Sequence, residues 1–193
     1  MLRRSCLPLV TLAVAFAAIS SPAFAHIGGH AGGFTHGLAH PFYGLDHVLA
    51  MVAVGLWASQ LGRPALWLLP LTFPVLMLAG AVIGGIGGSF PWLEIGIAGT
   101  VIALGAVIAF GLRPPIVASA ALIGLFALVH GFEHGATLPA HGAPLLYGAG
   151  FVLATLVLHA IGIGLGLFVR YPVALRSAGG AIAAVGILLL VTQ

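Results

Sequence analysis

The sequence predicts an all-α polytopic membrane protein, with six transmembrane helices following a cleaved signal peptide. Three observations carry this expectation. Charged residues make up 5% of the 193-residue chain and hydrophobic residues 61%, with a mean hydropathy of +1.23. A soluble domain carries about 25% charged residues, so this material cannot build a water-facing surface. The apolar residues fall into six runs, each near the ~20 residues a helix needs to cross a ~30 Å hydrocarbon core. The arginines are distributed as a fixed membrane orientation requires. Helix is the form expected for every run, because open strands would leave backbone groups unpaired in lipid.

The first 25 residues read as a secretory signal. Arg3 and Arg4 supply a positive start, LPLVTLAVAFAAI a short apolar stretch, and Ala23-Phe24-Ala25 a small-x-small cleavage site. Cleavage there makes His26 the mature N-terminus on the periplasmic side and removes Cys6, the only cysteine. Disulfides and thiolate ligands are then excluded. Residues 26–43 form a Gly- and His-rich periplasmic segment without an apolar face, expected to be exposed. The membrane domain, 44–193, contains runs at about 44–62, 65–87, 91–111, 115–136, 144–169 and 172–192. Pro64, Pro91, Pro114 and Pro144 open runs, where proline is tolerated, whereas Pro70 and Pro74 lie inside the second and should kink it.

With His26 outside, the loops after runs one, three and five face the cytoplasm. They bring Arg63, Arg113, and Arg170 with Arg176 to that side, and both mature termini are periplasmic. The expected location is the bacterial inner membrane. Trp57, Trp67 and Trp92 are expected as interfacial anchors, and Met51 and Met77 as packing residues. Gly80, Gly84 and Gly88, and Gly162 with Gly166, have the small-xxx-small spacing that lets helices approach closely. A formal charge of +3 and a pI near 9.8 come from six scattered arginines, with no lysine and no basic patch. Nucleic acid is therefore not an expected partner.

The polar residues collect toward the periplasmic side. Asp46 and His47 open the first run, and His130, Glu133 and His134 close the fourth. Ionisable groups in membrane segments are costly and usually mark a pathway. His130 and His134 are four residues apart and share a helix face, and Glu133 can lie beside them. Asp46 and His47 diverge by about 100°, so one can bind an ion while the other supports it from behind. His40, held by Pro41, can fold back over the helix start. Imidazole with carboxylate and no thiolate suits nickel, copper, cobalt or zinc. His26, with its freed α-amine, and His30 and His36 are further candidate metal ligands. His159, deeper in the fifth run, is a candidate pathway residue, with a packing or hydrogen-bonding role as the alternative.

These residues resemble the HupE/UreJ family of bacterial membrane proteins over nearly the whole chain. The resemblance rests on the signal ending AFA-H, the six-run layout, and His40-Pro41-x-x-Gly44-x-Asp46-His47 followed by Met51 and Gly55. The family's second motif, FHG-x-(A/V)-HG-x-E, has both His-Gly pairs here, His130-Gly131 and His134-Gly135. Val129 replaces its phenylalanine and Thr137 its glutamate, while a glutamate stands at position 133. The carry-over thus covers His40, Asp46, His47, His130 and His134, with Glu133 as a candidate substitute carboxylate. The resemblance implies a nickel permease, with cobalt as a second cargo, that serves hydrogenase or urease maturation and is not an enzyme. The chain lacks lysine and so has no nucleotide-binding P-loop. Transport would be channel-like, secondary, or dependent on partners. Two alternatives share these residues: an intramembrane metal-dependent hydrolase, weakened by the absence of H-E-x-x-H, and a membrane-anchored metal sensor or chaperone.

Overall fold

The computed structural model describes residues 33–87, 90–137, 143–169 and 172–192. The expected signal peptide, His26 and His30 lie outside the described residues, as do His141 and Arg170. A short helix α1 (Phe34–Ala39) leads through a 3-10 turn (His40–Phe42) into α2 (Leu45–Leu61). Helices α3 (Ala65–Gly87), α4 (Leu93–Ala109), α5 (Ile116–Ala136), α6 (Pro144–Phe168) and α7 (Pro172–Val191) follow, with no strand among the described residues. Every expected apolar run is therefore a helix. Four of them, α3, α5, α6 and α7, are long and apolar enough to cross a membrane. Helices α1 and α2 pass the same test only as a pair bent by 85°, and α4 is shorter, at 17 residues.

Packing is closest within three pairs, α3 with α5, α4 with α7, and α2 with α6. Glycine explains the first. A Cβ on Gly131 or Gly135 would overlap the backbone carbonyl of Met77 or Ala81, one turn apart on α3. The glycines of the two His-Gly pairs therefore let α5 lie directly on the α3 backbone, as small residues do between membrane helices. Gly162 packs likewise on Val52. Helix α2 is central: Ala50, Met51, Ala53, Val54 and Trp57 are all fully buried. The outer faces of α3 and α6 carry exposed Val75, Val82, Ile86 and Phe168, a surface suited to lipid rather than water. Helix α3 runs unbroken through Pro70 and Pro74.

Two expectations are corrected. The segment before α2 is not an exposed aperiodic stretch throughout. From Phe34 it is helical, and Gly37 and Pro41 are buried. Its glycines gave no periodic signal, but they permit docking: Gly37 meets the carbonyl of Tyr147, and Gly150 on α6 meets that of Phe34. Trp57 is not an interfacial anchor. It is fully buried, and its Nε1–H donates to the Leu112 carbonyl at 3.2 Å, tying the end of α2 to the turn after α4. Trp67 and Trp92 are exposed. Met51 and Met77 are buried, as packing residues should be.

Candidate metal centre

One end of the bundle gathers the start of α2, the end of α5, the start of α6 and the 3-10 turn. Gly44 opens α2 in extended backbone, and a Cβ there would collide with the Asp46 carboxylate and the His47 ring. The glycine clears space for a tight pair. One Asp46 oxygen accepts from the His47 backbone N–H at 2.8 Å and from its Nδ1–H at 2.7 Å. A histidine oriented by a carboxylate in this way presents its other nitrogen as a ligand. That Nε2 lies 3.4 Å from Oε2 of Glu133, and the same oxygen lies 3.0 Å from Nδ1 of His134.

His47, Glu133 and His134 thus bring three potential donor atoms within 4.8 Å of one another. Two donors each about 2.1 Å from one ion stand roughly 3.0–3.4 Å apart, so the observed separations fit a shared ion. His47 Nε2, Glu133 Oε2 and both nitrogens of His134 are also buried without a hydrogen-bond partner among the described residues. Buried polar atoms rarely stay unpaired without reason, because each costs about 1–3 kcal/mol. A bound cation would satisfy them together.

His130 lies beside this cluster, its ring centroid 5.1 Å from that of His47. Thr100 on α4 uses its single hydroxyl hydrogen on the Ile97 carbonyl at 2.7 Å. The 2.8 Å contact between Thr100 Oγ1 and His130 Nε2 must then be donated by His130. This fixes the neutral tautomer and leaves a lone pair on Nδ1, which is buried and unpartnered. His40 stacks edgewise on His134 at 4.9 Å, and His36 stands 6.1 Å beyond His40. Tyr147 and Phe151 wall this side, with Phe151 4.3 Å from the His134 ring.

His159 is separate from the cluster. It is buried, and Phe73 stands between it and His130, with ring centroids 5.4 Å and 5.8 Å away. Both of its ring nitrogens are buried without a hydrogen-bond partner among the described residues. Sequence reading missed Thr100 and Phe73, since a hydroxyl and a phenyl inside apolar runs carry no pattern of their own. The only available clue for Phe73 was its place between two prolines.

Fold and site together define a multi-pass helical membrane protein with a buried histidine–carboxylate cluster near one end. Its relatives agree. The chain belongs to the HupE/UreJ family, whose model, described as HupE / UreJ protein, matches residues 14–189. It is 46% identical over 186 residues to Protein HupE of Rhizobium leguminosarum bv. viciae, an alignment covering 94% of this chain and 97% of that one. No solved structure matches.

Proposed function

We propose that this protein carries a divalent transition-metal ion, nickel first and cobalt second, inward across the bacterial inner membrane for hydrogenase or urease maturation. The observation that carries the reading is the buried, mutually close and unpartnered donor set of His47, Glu133 and His134. Family membership supports the hydrogenase and urease connection. In this reading six helices span the membrane, α2 and α4 being short but within the range of about 17–25 residues. The signal peptide ends at Ala25, and both mature termini are periplasmic. The alternation of arginines with the runs supports this orientation.

The mechanism follows from the order of the side chains. His36 and His40, with His26 and His30 ahead of them, collect the ion at the periplasmic face. His47, Glu133 and His134 take it over, with Asp46 holding the His47 ring in position. His130 offers its Nδ1 lone pair on the inward side. Phe73 must turn aside before the ion reaches His159. Carboxylates at the mouth offset the cost of bringing a dication among helices.

The primary test is radioactive nickel uptake in cells lacking their own nickel transporters. Asp46→Asn should reduce uptake by about 10–100-fold at equal membrane expression, the range found when the partner orienting a ligand histidine is lost. Unaltered uptake would remove Asp46 from the site. Metal binding by the intact protein without any uptake would favour a sensor or chaperone. His159→Ala should slow uptake while binding at the outer cluster persists, and full-rate uptake would return His159 to packing.

A further inference from the structure

The opposite end of the bundle holds a second polar feature that metal carriage does not use. Arg63, Arg113 and Arg176 all lie there, around the end of α2, the turn after α4 and the start of α7. The chain's three acidic side chains cannot balance them. Asp46 and Glu94 occupy the first turns of α2 and α4, and Glu133 the last turn of α5, all at the far end. None of these three arginines forms an ion pair or hydrogen bond with a described residue. Arginine offers five donors in a planar fork suited to phosphate or carboxylate, so unmatched guanidinium groups around one cavity indicate an anion.

The cavity is about 290 Å³ and partly open to the surface, and Arg113, Arg176, Ser59 and Gln60 supply its polar lining. Arg113 also borders an adjoining cavity of 220 Å³, which Arg63 lines. The seat of Arg176 is built by the backbone. Gly111 has φ +65°, and a Cβ on it would come within 2.7 Å of Arg176 Nη2 and 2.9 Å of Nε. Gln60 is oriented too: its Nε2–H donates to the Ile108 carbonyl at 3.2 Å, which leaves Oε1 buried and without a donor. The lining therefore asks for two things, an anion for the arginines and a hydroxyl for Gln60.

We infer that this cavity binds the phosphodiester headgroup of a hydroxyl-bearing anionic phospholipid, of the phosphatidylglycerol type. Arg113 and Arg176 hold its phosphate, and Gln60 Oε1 accepts from a headgroup hydroxyl. Basic pockets between membrane helices at this level are known lipid headgroup sites. The surrounding exposed apolar residues, Leu112 and Phe168, suit the acyl chains. A soluble phosphate would meet the same two arginines, so the test separates the sources.

The test is native mass spectrometry of the full chain in detergent, mixed with phosphatidylglycerol or phosphatidylcholine, with thermal unfolding in parallel. Phosphatidylglycerol adducts should exceed phosphatidylcholine adducts by about tenfold and fall by a similar factor in Arg113→Gln/Arg176→Gln. The double lysine variant should recover part of the binding, and the glutamine variant should still bind nickel, which separates loss of the headgroup from loss of the fold. Stabilisation by inorganic phosphate alone, equal to that by the lipid, would overturn the lipid as the source. Equal adducts with both lipids, or adducts unchanged in the glutamine variant, would overturn the site itself. Nickel uptake is not the readout, so failure here leaves the transport reading untouched.

Discussion

His134→Ala is expected to lower nickel uptake by at least about 100-fold while the protein reaches the membrane in unchanged amount, a loss at or beyond the 10–100-fold range for an orienting partner. His134 is buried on the α5 face that carries Glu133, and neither of its ring nitrogens has a hydrogen-bond partner among the described residues. The one close polar contact its removal breaks is the 3.0 Å approach of its Nδ1 to Glu133 Oε2, itself part of the donor set, so the damage falls there. Glu133→Gln should come close to the same loss, because one oxygen of Glu133 faces both His47 and His134. Metal uptake and metal retention by the purified protein check both variants. Retention of a stoichiometric ion by His134→Ala would show that the ion sits elsewhere, with His40 and His36 the next group to examine.

Gly135→Val is the second large effect, and it strikes the fold. The added atoms have no room, since a Cβ at this position already overlaps the Ala81 carbonyl. Relief requires α5 to separate from α3 along the most extensive helix contact among the described residues. Overpacking of a tight site typically costs about 1–3 kcal/mol, and a clash with rigid backbone lies at the upper end or above. Little folded protein should survive detergent extraction, as read by size-exclusion profile. Gly164→Ala is the matched control, because nothing lies within 4 Å of a Cβ there. A normal profile for Gly135→Val would mean that α3 and α5 can separate freely.

The contrast between these glycines shows what a linear sequence can and cannot reveal. The six helices of the apolar runs were legible because each is a continuous apolar run bounded by proline, glycine or arginine. Helix α1 was not, since it is a short glycine-containing helix docked through two glycine contacts on a helix more than a hundred residues away. Trp57 was misplaced for a similar reason: the turn after α4, distant in the sequence, closes over it. At the cluster, the adjacency of Asp46 and His47 and the i, i+4 spacing of His130 and His134 could be read directly. Their convergence could not, because it depends on where α2 and α5 meet. The division of labour between Asp46, behind the ring, and Glu133, in front of it, needed three dimensions.

The pairing of helices has a mechanical consequence. His47 belongs to the α2–α6 pair, and Glu133 and His134 belong to the α3–α5 pair. An ion held by all three would act as a rivet between the two slabs. Its arrival would draw the slabs together at one end, and its departure would require one slab to let go before the other. Glycine-to-backbone contacts hold α5 on α3 and α6 on α2, and the donor set lies at the joint between these two pairs. In the transport reading proposed above, the ion would also be the part that, for a moment, locks the protein shut.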